Sequence, residues 1–318
     1  MFNDQYGQLK ESVETHLTDF LPQVEPGSRL LYDAMVYSLN AGGKRIRPVL
    51  LLASCLAAGG GMQEAMPFAC ALEFIHTYSL IHDDHPSMDN DDLRRGKPTN
   101  HKVFGDDMAI LAGDGLLNSA MDLMLGKIEE AALSADSQRS LLLRRIQAAR
   151  EISEAAGVRG MIAGQTADIR PDEIDADDPS RLIYIHKNKT GALIRAAVRA
   201  GAVLGGAEGE ILEAFTVYGE QIGIAFQIVD DMLDVTGNAE NLGKNTGMDE
   251  QMGKLTYPAV YGLPGSGKKA EEATDKARNA LAQAAAAYTG SSAETEEEAL
   301  VYSVFLDHMA LDLLNRIS

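Results

Sequence analysis

Apolar residues recur every three or four positions along nearly the whole chain, and that spacing restricts the fold to packed helices. Phe2, Tyr6, Leu9, Val13, Leu17 and Phe20 share one face of an opening helix that ends before Pro22. Leu30, Leu31, Ala34, Met35, Ser38 and Leu39 repeat the pattern, and Gly42 with Gly43 supply a stop. Helical stretches follow at 49–58, 64–82, 106–135, 137–156, 180–203, 208–235, 268–288 and 294–316. No stretch alternates with period two, and no hairpin turn separates β-branched runs. The spacing therefore predicts an all-α fold.

The breaks, at Gly59–Gly61, Pro171–Pro179, Gly205–Gly206, Gly237–Gly253 and Pro264–Gly267, are too short or too unbiased for an interdomain linker. Residues 1–318 are thus expected to form one domain, a single large helical bundle with the apolar segments 64–82 and 211–233 at its middle. With 45% hydrophobic residues the chain can bury a core, and a net charge of -19 disfavours nucleic acid and anionic membrane surfaces as partners. Cys55 and Cys70 sit in apolar stretches and read as reduced core residues of a cytoplasmic protein. Met1–Glu11 lacks the features of a signal peptide. The longest uninterrupted apolar run, Val49–Ala58, is far below the ~20 residues of a bilayer span, so no membrane segment is expected.

Two aspartate clusters end apolar segments. The first runs from His82 through Asp83, Asp84, His85, Pro86, Ser87, Met88, Asp89, Asn90 and Asp91 to Asp92; the second is Asp230-Asp231-Met232-Leu233-Asp234. On a helix, spacings of three and four project the carboxylates of Asp230, Asp231 and Asp234 towards roughly one side, where they repel. A hard divalent cation offsets that cost, and Mg²⁺, which takes one or two carboxylates plus substrate phosphates, suits sparse aspartates. An aspartate run by itself is usually a solvated helix end. Arg94 and Arg95 follow the first cluster, however, and Lys244 and Lys254 the second. Carboxylates beside cations point to a polyanion gripped by metal on one side and by Lys or Arg on the other.

The segment Ser79–Thr99 strongly resembles the first aspartate-rich motif of the trans-isoprenyl diphosphate synthases, and Phe226–Asp234 resembles the second. Gly42-Gly43-Lys44-Arg45-Ile46-Arg47-Pro48, Lys189-Thr190-Gly191 and Gly253–Pro258 are similar to three further signatures of that family, in the family's order. The resemblance implies an isoprenoid-synthase bundle whose central cavity is lined by the two clusters, in a homodimer. It also implies ionisation of an allylic diphosphate (dimethylallyl or geranyl), attack by isopentenyl diphosphate and loss of a proton to the departing pyrophosphate. By that resemblance Asp83, Asp84 and Asp89 would hold Mg²⁺ from one side, and Asp230 with Asp234 from the other. Arg94, Lys189 and Lys254 would grip the allylic diphosphate with Lys244 nearby, while Lys44, Arg47, His76 and Arg95 would hold isopentenyl diphosphate. Lys189, Thr190 and Gln227 would present oxygens to the carbocation.

Other readings compete at several of these residues. Lys44, Arg45 and Arg47 also suit the C-terminal dipole of the preceding helix, and His76 suits a hydrogen-bonded core position. His82 and His85 flank Asp83 and Asp84 in the manner of a transition-metal site, and the family usually carries an apolar residue where His85 stands. Gly262–Lys269 approximates a phosphate-binding loop but lacks its final hydroxyl residue and a preceding strand. Tyr78 and Ser79 lie five and four residues before Asp83, about one helical turn deeper, where an aromatic ring makes a floor for a growing tail. That aromatic, with Pro86 and Ser87 inserted in the motif, resembles the pattern of bacterial farnesyl diphosphate synthases and implies a C15 product. Pro86 forbids a regular helix through the motif and lets Asp89 turn back towards Asp83 and Asp84. The alternatives are a geranylgeranyl diphosphate synthase, a non-catalytic protein that binds divalent metal, and a terpene cyclase, which has no need of Gly42–Pro48.

Overall fold

The computed structural model describes residues 2–134, 139–170, 179–236, 255–288 and 293–315. Lys244, Lys254 and the acidic stretch 171–178 lie outside the described residues. The chain divides into two compact units, one chiefly Asn3–Val49 with Met66–Ala149, the other chiefly Leu50–Ala65 with Arg150–Ser318. Both are helical. The chain runs through α1 (Phe2–His16), α2 (Arg29–Leu39), α3 (Ile46–Ala57), α4 (Met62–Asp83), α5 (Asn100–Phe104), α6 (Asp106–Leu133) and α7 (Arg139–Ala156). It continues through α8 (Met161–Ile169), α9 (Pro179–Ile185), α10 (Ala192–Gly205), α11 (Gly209–Thr236), α12 (Tyr257–Ala287) and α13 (Ala293–Asn315). Among the described residues the only strands are Leu93–Arg94 and Lys97–Pro98, a two-residue antiparallel pair. The all-α expectation holds.

In the first unit, Leu9, Val13 and Leu17 are turned fully inward, as their spacing dictates. The opening helix ends at His16, before the expected Phe20, and the chain continues in turns. α4 is buried around most of its circumference: Phe68, Leu72, Phe74 and Ile75 all have no exposed surface. Burial of each such side chain contributes about 1.5–3 kcal/mol. α6 is long and apolar enough to cross a bilayer by length and composition, which a search for unbroken apolar runs does not detect. Its buried residues Ala109, Ala112, Leu116, Ala120 and Met124 recur every three or four positions, the stripe of a helix packed on one side within a protein.

In the second unit, α10 is almost wholly buried and small residues set its packing distance. A Cβ on Gly201 would lie 2.1 Å from the Leu51 carbonyl oxygen, so only glycine permits that approach. Gly206, at φ 98°, closes α10 in the left-handed conformation. α11 and α12 share a core of Ile228, Val229, Met232, Tyr257 and Ala270.

Two boundaries depart from the helical spacing. The stretch 180–203 is not one α-helix, because a π-helical turn, His186–Gly191, joins α9 to α10. α12 starts at Tyr257, not 268; the Thr256 hydroxyl caps it, the chain kinks at Gly262 (φ 67°), and Pro264 follows where its missing N–H costs little. Lys268 therefore belongs to a helix, four residues before Glu272 with its Nζ 3.9 Å from that carboxylate, and not to a phosphate loop. The short α5 and α8 are additions to the sequence reading.

Candidate active site

α4 stops at Asp83, three residues before Pro86, and the chain folds back on itself. The Asp89 N–H donates to the Asp83 carbonyl at 2.9 Å and the Asp91 N–H to that of Asp84 at 3.2 Å. This is the return that Pro86 predicts. Asp84 is buried, and its carboxylate accepts from Arg94 Nε at 2.9 Å, while Arg94 Nη2 also reaches Asp91 at 3.3 Å. Burial raises the pKa of Asp84, the Arg94 bonds oppose that rise, and the Asp91 and Asp89 charges add to it.

Arg95 (φ 54°) and Gly96 (φ 75°) occupy the two central positions of the tight turn between the strands, both left-handed as a type I′ turn requires. The turn separates two adjacent arginines: Arg94 goes to Asp84, whereas the Arg95 guanidinium lies over Gly43. A Cβ on Gly43 would lie 2.5 Å from Arg95 Cζ, and the φ of 130° there also demands glycine.

The basic segment is held from beneath. Arg45, left-handed at φ 53°, is 4% exposed; its Nη1 meets Glu73 Oε1 at 2.6 Å and its Nη2 the Leu39 carbonyl, the last of α2, at 2.6 Å. The helix-dipole reading thus applies to Arg45. The Tyr6 hydroxyl donates to the Lys44 carbonyl, and Arg47 Nη1 lies 3.3 Å from His76 Nε2. Burial, and then the charges of Arg47, Arg95, Arg45 and Arg94, push the His76 pKa well below 6.5, so a neutral imidazole accepts from Arg47. Arg47, His76 and Arg95 are thereby drawn into one corner of the first unit, with Lys44 exposed on the same segment. Tyr78 is buried, with burial and then Asp83 pushing its pKa to about 12, and Ser79 Oγ donates to the His76 carbonyl at 2.8 Å.

In the second unit the π-helical turn carries Lys189, Thr190 and Gly191. π turns inside α-helices concentrate at functional sites. α8 presses against this one at Gly164, where a Cβ would lie 2.1 Å from Lys189 N, and α11 approaches at Gly223, whose Cβ would be 3.1 Å from Gly191 Cα. Lys189 Nζ pairs with Asp168 Oδ2 at 2.7 Å.

The second aspartate cluster corrects the expectation of three carboxylates on one side. Asp231 is buried and accepts from Gln227 Nε2 at 3.1 Å and from the Tyr257 N–H at 2.9 Å, whereas Asp230 and Asp234 are half-buried. Because a carboxylate only accepts, the bond assigns the Gln227 nitrogen to Asp231 and turns its carbonyl oxygen away. The His186 ring packs at a tilt of 32° against the Tyr257 ring, 5.3 Å between centroids, and lies 3.7 Å from Asp231 Oδ2. Burial lowers its pKa to about 4, Asp168 opposing and Lys189 assisting. Asp168, His186 and Glu73, the partner of Arg45, were not among the sequence candidates; only the inward half of each helical pattern hints at them.

Among the described residues no group of three or more His, Cys, Asp or Glu side chains forms a metal cage. The donors present are carboxylate oxygens in small number, which fit Mg²⁺ completed by phosphate and water. The histidines point elsewhere: His82 Nε2 faces the Ile110 carbonyl at 3.1 Å, and His85 Nδ1 accepts from the Ser87 N–H at 3.2 Å.

Residues 28–291 match the family model described as polyprenyl synthetase. The chain is 48% identical over 262 residues to a farnesyl diphosphate synthase of Geobacillus stearothermophilus, covering 82% of this chain and 85% of that one. It is 44% identical over 274 residues to a geranylgeranyl diphosphate synthase of Cyanophora paradoxa, covering 86% and 88%. The fold matches the apo crystal structure of an FPP/GFPP synthase from Zymomonas mobilis with a TM-score of 0.79 at 30% identity, over 98% of both chains. Motifs, fold and relatives coincide, and the chain belongs to the polyprenyl synthetase family as one of its prenyltransferases.

Proposed function

We propose that this prenyltransferase condenses isopentenyl diphosphate with dimethylallyl diphosphate and then geranyl diphosphate to make farnesyl diphosphate, as a Mg²⁺-dependent cytoplasmic homodimer without a membrane span. The observation that carries the reading is the folded-back motif of Asp83, Asp84 and Asp89 with Arg94 seated on Asp84. A metal buffer has no use for that arginine; a diphosphate site does.

In this reading Asp83, Asp84 and Asp89, with Asp230 and Asp234, hold Mg²⁺, which when bound acts as a Lewis acid on the leaving diphosphate. Arg94, Lys189 and Lys254, with Lys244, draw off the negative charge that builds as the allylic carbon–oxygen bond breaks, stabilising the transition state more than the ground state. Lys44, Arg47, His76 and Arg95 hold isopentenyl diphosphate by its own diphosphate, so that its double bond attacks the allylic carbon. Thr190 and Gln227 turn oxygens towards the carbocation; the bond from Gln227 Nε2 to Asp231 supports that orientation. The proton lost after attack goes to the departing pyrophosphate.

Tyr78, buried one turn before Asp83, supports termination at C15. The similarity to the Cyanophora paradoxa geranylgeranyl diphosphate synthase favours C20 as the second reading. Pyrophosphate release, measured with each substrate alone and both together, tests the reaction. Release that needs both substrates and Mg²⁺ and stops with chelator supports it; release without isopentenyl diphosphate points to a cyclase or hydrolase instead.

A further inference from the structure

Tyr78 does not stand alone. His82, one turn along α4, packs edge-on against it, with ring centroids 5.6 Å apart and planes at 84°. The His82 ring is anchored at its far end, where Nε2 lies 3.1 Å from the Ile110 carbonyl of α6. It occupies the space left by Gly113 on the same helix: a Cβ there would lie 2.1 Å from His82 Nε2, 2.4 Å from Cδ2 and 2.8 Å from Cε1. All three nearest atoms belong to His82, so a methyl group at 113 meets one movable side chain first, and not backbone.

We infer that His82, seated in the gap at Gly113 and held by the Ile110 carbonyl, is a positioning residue that fixes the Tyr78 ring and so sets product length. The inference rests on the reading of Tyr78 as the floor beneath the growing tail. A tyrosine ring with no neighbour on its edge rotates about its first two side-chain torsions; an edge-to-face partner biases it by about two- to tenfold in population. His82 supplies that partner from the same helix face at a spacing of four. The role needs only the imidazole's ring and its anchor, and no change of protonation.

Four single variants and one double variant test this, each assayed with isopentenyl and geranyl diphosphates for the ratio of C20 to C15 product. Tyr78→Ala establishes whether the floor exists. His82→Ala, which adds no atoms and leaves the glycine in place, is expected to raise the ratio about two- to tenfold. His82→Phe restores a ring edge and is expected to return the ratio towards wild type. Gly113→Ala displaces the His82 ring and is expected to raise the ratio in wild type yet have no further effect in the His82→Ala background. Should Tyr78→Ala lengthen the product while His82→Ala and Gly113→Ala keep the wild-type ratio, the positioning role is overturned and the floor survives. An unchanged ratio in Tyr78→Ala overturns the floor and the inference with it. A folded His82→Ala keeps the test decisive even where Gly113→Ala fails to fold.

Discussion

The Arg45 guanidinium and the Glu73 carboxylate meet at 2.6 Å with their side chains only 2% and 1% exposed. The pair lies under the segment that carries Lys44 and Arg47 and holds Arg45 in a left-handed conformation. Removing one partner strands a buried charge, so Arg45→Met is expected to cost about 3–5 kcal/mol, measured by urea unfolding. The double variant Arg45→Met/Glu73→Met is expected to recover much of that loss. Equal loss in single and double variants would contradict a pair held by mutual compensation.

Adjacent aspartates in the second cluster separate by role. Asp231→Ala strips the acceptor from the Tyr257 N–H and from Gln227, and is expected to lower stability by about 1–3 kcal/mol. Asp230→Ala is expected to leave the unfolding midpoint almost unchanged while kcat falls about a hundredfold or more. Paired denaturation and kinetic measurements on the two variants check the division.

Lys189 is shared between Asp168 and the proposed diphosphate. With Asp168→Asn the ion pair disappears, and the KM for the allylic substrate is expected to fall about two- to fivefold. The KM for isopentenyl diphosphate stays constant. A rise in allylic KM would instead mean that Asp168 orients Lys189.

His186 gives the stability a pH dependence of known sign. Its folded pKa, about 4, lies below the unfolded value near 6.5, so between those values the unfolded chain binds the extra proton. Stability is full above pH 6.5 and falls as the pH drops, by about 3 kcal/mol by pH 4 from this group. His186→Gln is expected to flatten the curve between pH 6.5 and 5, where carboxylates contribute least. Urea midpoints across that window provide the check.

What the sequence made legible was local. Pro86 constrains its own neighbours, so the return of Asp89 to Asp83 follows from the motif alone, and the spacing of Leu9, Val13 and Leu17 names the buried face of α1. The inward turn of Asp231 depends on Tyr257, 26 residues away, and no spacing rule contains that partner. Arg45 and Arg47 look alike in sequence; only the Leu39 carbonyl and Glu73 on one side and His76 on the other distinguish them. The π turn at Lys189 has no local signature either, since its shape is set by the approach of α8 at Gly164 and α11 at Gly223. Gly262 and Pro264 read as a break between helices and prove to be a kink at the start of one.

The most direct measurement is the mass of the product formed from isopentenyl and dimethylallyl diphosphates with Mg²⁺, followed to exhaustion of the primer. Farnesyl diphosphate as the dominant product, absent with chelator, is the expected result. Geranylgeranyl diphosphate as the dominant product would contradict the C15 assignment, and no condensation by folded, Mg²⁺-loaded protein would contradict the function itself.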